Sequence, residues 1–416
     1  MQRHYAKPLH AALTAALVLI AIARAAIAEP LEDALAARDR GDGATALQLF
    51  RPLADQGNAE AQYNLGNMYI MGQGVPKNDA EAAKWFRLAA DQGYAPAQYN
   101  LGVLFGSGWG VTQSYSEAAK WYRLAADQGD ANAQYNLGVM YQRGNGVTQN
   151  YAEAMKWFRL AADQGHAPAQ YNLGVLFANG QGGPQNYTEA IKWFRLAAAQ
   201  GDADAQFSLG RRYYSGDGIA KNYSEAMKWF QLAADQGHAG AQGALGVMYS
   251  LGQGVPQNDA EALKWLRLAA DQGNAEGQFN LGVMYEHGDG VPQNYGEALK
   301  WYQLAANQED ARGQFNLGVM YRDGKGVPKN YAEAIKWFGH AADQGFVIAQ
   351  YNLGLMYING LGPLDLVQAH MWLSLAAAQG SQEADKNREL VEGHMTTAQI
   401  ADARKLARDW KPKPIE

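Results

Sequence analysis

Ala61-Gln62-Tyr63-Asn64-Leu65-Gly66 is the stretch that decides how this chain folds. The same string returns at residues 97–102, 133–138, 169–174 and 349–354, and looser copies begin at Ala205, Ala241, Gly277 and Gly313. Nine copies spaced by 36 residues form a tandem array. A period of roughly 20–50 residues marks a solenoid or a related repeat architecture. The length of 416 residues therefore sets no domain count, because a solenoid lengthens without enlarging a spherical core.

Outward from the first copy, the unit reads as helix, turn, helix. Leu65, Met68 and Tyr69 fall at i, i+3 and i+4, one apolar stripe of a helix A over 59–71. Gly72-Gln73-Gly74-Val75-Pro76 ends it, since glycine closes a helix in the left-handed conformation and proline cannot continue one. Asn78 and Glu81 have the spacing of a capping box at the start of helix B, and Lys84 follows the acid by three residues. The spacing recurs from Ser114/Glu117 to Asn330/Glu333. Helix B carries Ala82, Trp85, Phe86, Leu88 and Ala89 as its apolar residues, and Asp91-Gln92-Gly93 closes it. One such pair cannot bury both faces, so each unit needs its neighbour.

These residues resemble the Sel-one-like repeats, a branch of the tetratricopeptide-like α/α solenoids. In the second unit Ala97, Leu101, Gly102, Phe105, Gly108, Gly110 and Val111 fit the family pattern, followed by Ala118, Trp121, Tyr122, Ala125, Ala126 and Gly129. The pattern covers 58–380 as nine repeats. The resemblance implies an all-α fold, a right-handed superhelical α/α solenoid of tandem 36-residue helix-turn-helix repeats, with a concave groove lined by the A helices and used for protein–protein contacts. Residues 29–57 read as a degenerate N-terminal repeat or cap, with helices over 31–40 and 45–55. Residues 381–416 read as C-terminal capping helices and a short tail, with Ser381 and the Thr396/Gln399 pair as helix starts.

The first 28 residues differ in kind. Arg3 and Lys7 precede an apolar run over 11–23, and Ala26-Ile27-Ala28 forms a small-x-small cleavage pattern before Glu29. This predicts a signal peptide cut after Ala28 and an exported protein, periplasmic or extracellular. The run is too short to span a bilayer, which takes about 20 residues. Its removal takes away Arg3, Lys7 and Arg24 and no acid, moving the net charge from −6 to about −9. That sign argues against nucleic acid and anionic membrane as partners. The chain contains no cysteine, which excludes disulfides and lipid anchoring through a cysteine.

The residues offer little to catalysis. Gly-x-Gly recurs after a helix at the same phase, which is a turn and not a nucleotide loop. The eight histidines are scattered and no His-Glu-x-x-His occurs, so no metal site and no cofactor are expected. The family has members linked to penicillin binding, which suggests an alternative: a hydrolase acting on cell wall or β-lactam. Ser-x-x-Lys is absent, however; Ser116/Lys120 and Ser224/Lys228 are one residue too long. Envelope polysaccharide is a second alternative partner, although most aromatics sit at packing positions such as Trp85, Trp121 and Trp157.

Recognition is expected where units depart from the frame. The two residues after the helix A aromatic vary most, as in Gln142-Arg143, Tyr214-Ser215, Glu286-His287 and Arg322-Asp323. The fifth unit deviates furthest, with Arg211-Arg212-Tyr213-Tyr214 in place of Val-Met-Tyr. Trp109 stands at a turn position that is mostly polar elsewhere. Arg, Tyr and Trp are the residues enriched in binding hot spots. Trp109, Arg143, Arg211, Arg212, Tyr214, His287 and Arg322 are accordingly the candidate contacts of a protein partner.

Overall fold

The computed structural model describes residues 30–413. The signal-peptide expectation at 1–28 lies outside the described residues, as do the last three residues. The described chain is all α-helical. It groups into two compact units that divide between Asp202 and Ala203, where the sequence suggests one uninterrupted array.

In the first unit, α1 (30–39) and α2 (Gly43–Asp55) precede four repeats. These are α3 (Ala59–Met71) with α4 (Asp79–Asp91), α5 (Ala95–Ser107) with α6 (Tyr115–Asp127), α7 (Ala131–Arg143) with α8 (Tyr151–Asp163), and α9 (Ala167–Asn179) with α10 (Tyr187–Ala199). The second unit holds five: α11 (Ala203–Ser215) with α12 (Tyr223–Asp235), α13 (Ala239–Leu251) with α14 (Asp259–Asp271), α15 (Ala275–His287) with α16 (Tyr295–Asn307), α17 (Ala311–Asp323) with α18 (Tyr331–Asp343), and α19 (Val347–Ile358) with α20 (Leu366–Ala378). Then α21 (Gln382–Glu392) and α22 (Thr397–Asp409) pack on α20 and its neighbourhood.

Within each unit the repeated core layer is built from one B helix, the following A helix and the tryptophan of the next B helix. Ala118, Tyr122 and Ala125 of α6, Leu137 and Met140 of α7, and Trp157 of α8 form one such layer. The glycine of the repeated string lets the B-helix ring lie on the A-helix backbone: a Cβ at Gly138 would sit 2.7 Å from Phe158 Cδ1. Arginines of one B helix stack on the tryptophan of the next, as Arg87 on Trp121 and Arg123 on Trp157, at 5.3 and 5.1 Å. Such contacts add about 0.5–1 kcal/mol each at exposed sites.

The glutamine of the repeated string has a role that its polarity hides. Gln134 is buried. Its Nε2 donates to the Ala126 carbonyl at the end of α6 at 3.1 Å, and its Oε1 accepts from Gln164 Nε2 at 2.8 Å. Gln164 is the glutamine that closes α8. Equivalent rungs run from Gln62/Gln92 to Gln170/Gln200 in the first unit and from Gln206/Gln236 to Gln314/Gln344 in the second. The two glutamine registers of the repeat thus form a ladder along each unit.

Two expectations need correction. The Asn/Ser-x-x-Glu spacing is half a capping box: Asn78 Oδ1 accepts from Glu81 N–H at 3.1 Å, but Asn78 N–H donates to the Tyr69 carbonyl of α3 at 2.9 Å. With that amide already satisfied, Glu81 turns to Lys84, and only Thr396/Gln399 closes a full box among the described helices. Leu88 is 47% exposed, as are its counterparts such as Leu124 and Leu160 to similar extents. It lies two residues past Phe86, about 200° around the helix and away from the core.

In α16's closing turn, Glu309 replaces the usual glycine and holds φ at +64°. A side chain costs about 1–2 kcal/mol in that region, partly offset by the lower entropy of a non-glycine residue in the unfolded chain. Glu309→Gly is therefore expected to stabilise the second unit by about 1 kcal/mol, read as a raised denaturation midpoint.

The C-terminal helices are tied by a buried histidine. His370 is 1% exposed, and its Nε2 lies 2.7 Å from Glu392 Oε1, which Arg404 also reaches at 3.0 Å. Hydrogen bonds from His370 and then Arg404 hold the Glu392 carboxyl below its ordinary range. A carboxyl lowered on folding contributes stability above its unfolded pKa of about 4.3, and that contribution fades as pH falls through the lowered folded value. Glu392→Gln is expected to lower the melting temperature at pH 7, with the gap to the wild type closing below about pH 4. Melts across that range check it.

Candidate partner-binding site

All the candidate residues except Trp109 lie on A helices, and Arg211, Arg212 and Tyr214 come together on α11. They line a cavity of about 450 Å³ with Phe207, Ser215 and Asp217. Residues of the next two A helices complete it: Gly240, Ala244 and Val247 of α13, and Glu276 of α15. Its volume is that of a ligand-sized cleft.

The cavity exists because two adjacent repeats break the frame. The asparagine of the repeated string becomes Ser208 and then Ala244, and Gly240 removes another side chain. Arg212 occupies the register that Met68, Met140 and Met248 fill in other repeats, all of them buried. Its side chain is only 17% exposed, and it forms an ion pair with Asp217 at 3.1 Å. Asp217 also accepts from Ser215 Oγ at 2.7 Å, so the turn anchors the guanidinium. Phe207 forms a rigid floor, packed on His238 at 4.5 Å and on Phe230 at 5.7 Å. His238 is itself fixed, because its Nδ1 caps α13 through Ala241 N–H at 3.0 Å and its Nε2 lies 3.2 Å from Asp204. Arg211 lies over the Phe207 ring at 5.9 Å, and Tyr214 packs on Tyr223 at 5.2 Å.

Two depressions on the B helices, each of about 480 Å³, are of a different kind. One includes Ser116, Ala119, Lys120, Arg123 and Leu124, and the other Ala260, Leu263, Lys264, Arg267 and Leu268. These are the same five registers of the repeat, so both belong to the frame. The α11–α13–α15 cavity belongs to the departures from it.

The remaining candidates stand elsewhere. Trp109 is 56% exposed in the turn after α5, and Arg143 is exposed at the end of α7, both in the first unit. His287 is exposed at the end of α15, its Nδ1 3.1 Å from the Val283 carbonyl. Arg322 has its fork engaged within the chain, on Asp323 at 2.7 Å and on Asn352 of α19 at 2.9 Å. It ties α17 to α19. The periodicity singles out Arg211–Tyr214 but passes over Gly240 and Ala244, whose signal is of the same kind: small residues where the register elsewhere carries larger ones.

Among the described residues no three His, Cys, Asp or Glu side chains are grouped to hold a metal ion. No described helix is long and apolar enough to cross a membrane. Ser374 Oγ lies 3.3 Å from His370 Nδ1, completing a Ser–His–Glu row with Glu392. That row lies outside the three cavities above, among the packed C-terminal helices.

Paired helices repeating every 36 residues, with a side-chain ladder along each unit, define an α/α repeat protein. The chain belongs to the Sel1 repeat family, whose model matches nine consecutive stretches: 59–94, 95–130, 131–166, 167–202, 203–238, 239–274, 275–310, 311–346 and 347–381. It is similar to a protective antigen present in uropathogenic Escherichia coli strains that displays an SLR fold. The two are 33% identical, with 88% of this chain and 87% of that one covered and a TM-score of 0.61. It is also similar to a Sel1 repeat protein from Oxalobacter formigenes, at 35% identity over 74% of this chain and 90% of that one, with a TM-score of 0.58. No curated protein sequence matches the chain.

Proposed function

We propose that this chain is an exported protein-interaction scaffold whose partner docks on the A helices of the second unit, anchored by Arg211, Arg212 and Tyr214. The observation that carries this reading is the cavity between α11, α13 and α15. It lies where the repeats abandon their packing residues, and its walls hold two arginines and a tyrosine over an aromatic floor. A core methionine register does not become arginine without loss of packing, so a compensating role in recognition is the economical account. Export rests on the basic, apolar and small-residue succession of residues 1–28.

Arg211→Ala combined with Tyr214→Ala is expected to weaken partner binding about thirtyfold or more, the size of a hot-spot loss of about 2 kcal/mol. The repeat array should remain folded. The test is crosslinked capture of tagged protein from the native envelope fraction, beside circular dichroism melts of both forms. Loss of one specific partner with unchanged melts supports the scaffold. Equal recovery of that partner by both forms removes the anchor. N-terminal sequencing of the exported protein should begin at Glu29, and an intact Met1 would contradict export processing.

A further inference from the structure

Charge within the cavity is unevenly answered. Arg212 is held by Asp217, and Asp217 is also engaged by Ser215. Glu276, beyond α13 on the far wall, acts electrostatically on Arg312 of α17. Arg211 is exposed, rests on the Phe207 ring, and forms no ion pair among the described residues. Below it the lining is apolar: Phe207, Phe230, Ala244 and Val247. The site therefore joins one unanswered cation to an aromatic floor and a space opened by two truncated side chains.

We infer that this cavity takes an acidic–aromatic segment of a partner chain: an aromatic side chain seated against Phe207, Ala244 and Val247, with a neighbouring Asp or Glu carboxylate on the Arg211 guanidinium. The inference rests on the scaffold reading above and names what that scaffold grips. An aromatic ring suits the floor because ring pairs at such distances gain beyond simple burial. The carboxylate suits Arg211 because a guanidinium already oriented on a ring loses little freedom in forming a bidentate pair. An internal segment suits the position better than a chain terminus. Glu276 on the far wall could accept a hydrogen bond from a main-chain N–H of the bound segment and would repel a second, terminal carboxylate.

The test uses the full exported chain and heptapeptides blocked at both ends, measured by isothermal titration. The probe Gly-Ser-Glu-Phe-Glu-Ser-Gly is compared with versions carrying Gln for both Glu, or Ala for Phe, and with a peptide ending in Phe with a free carboxylate. The parent peptide should bind about tenfold tighter than either altered version and tighter than the free-ended one. Arg211→Gln should reduce the Glu-over-Gln preference to near one. Ala244→Asn, which restores the residue of the other repeats and so should fold, should reduce binding of every Phe-containing peptide. A Glu preference that survives Arg211→Gln, or equal binding of the Phe and Ala peptides, overturns the inference, as does no binding at all. If native capture depends on Arg211 and Tyr214 while the peptides fail, the scaffold stands and its occupant is of another kind. If the peptides bind as expected while capture is unaffected by the double substitution, the cavity recognises such segments but is not the scaffold's anchor.

Discussion

Gly146→Ala should destabilise the first unit by about 3 kcal/mol. Gly146 is the second glycine of its Gly-x-Gly turn and holds φ at +69°. A side chain in that conformation costs about 1–2 kcal/mol. The added Cβ would also lie 2.3 Å from the Tyr115 carbonyl carbon, at the first residue of the preceding B helix. Backbone cannot swing aside as a side chain can, and overpacking of this kind costs about 1–3 kcal/mol more. Gly165 separates the two contributions, since it holds φ at +89° with nothing within 4 Å of a Cβ. Gly165→Ala should therefore cost only the conformational part, about 1–2 kcal/mol. Urea denaturation followed by circular dichroism compares them. Equal losses would show that the close approach between repeats contributes nothing.

The glutamine ladder supplies the second large effect. Gln134→Leu keeps an apolar group of similar size in the core but leaves the buried Ala126 carbonyl and the Gln164 amide without their partner. An orphaned buried polar group costs about 1–3 kcal/mol. Because Gln164 retains a long contact to the Leu160 carbonyl at 3.4 Å, the loss should be about 2–3 kcal/mol rather than the sum of two full penalties. Gln149→Leu is the matched control: its Nε2 bonds the Gln142 carbonyl at 2.9 Å on the exposed surface, where water replaces it. Its expected effect is within about 0.5 kcal/mol. If the two substitutions destabilise alike, the ladder is ornamental to stability.

Much of the fold is legible because packing writes itself nine times. The alanine, leucine and aromatic registers of Ala97, Leu101 and Tyr122 announce a helical pair, and the turn glycines mark where each helix stops. What periodicity cannot reveal is the reason for a fixed polar residue. Gln134 recurs as faithfully as Leu137, yet its role, donating across a junction between helices, appears only in the folded structure. The same limit misleads at Leu88, where a fixed apolar residue is taken for core and proves exposed, and at Glu81, whose spacing fits a capping box that the Tyr69 carbonyl makes unnecessary.

The candidate site was legible in part for a related reason. A residue gained against the frame, such as Arg211 or Arg212, stands out in a repeat alignment. A side chain lost against it, as at Gly240 and Ala244, looks like ordinary decay until the space it leaves is seen beside Phe207. Arg322 shows the converse, since a departure from the register serves to bind α17 to α19 and has its donors engaged within the chain.

The central claim is that recognition sits in the departures of α11 and α13 and not in the repeated frame. Site-specific photocrosslinking tests it most directly. Benzoylphenylalanine would be placed at Tyr214 in one form and at Gln142 in another, which occupies the same register of the third repeat. In the native envelope, position 214 should crosslink to one specific protein and position 142 should not. A crosslink to the same protein from both positions, or from 142 alone, would contradict the account and move the binding surface away from α11 and α13.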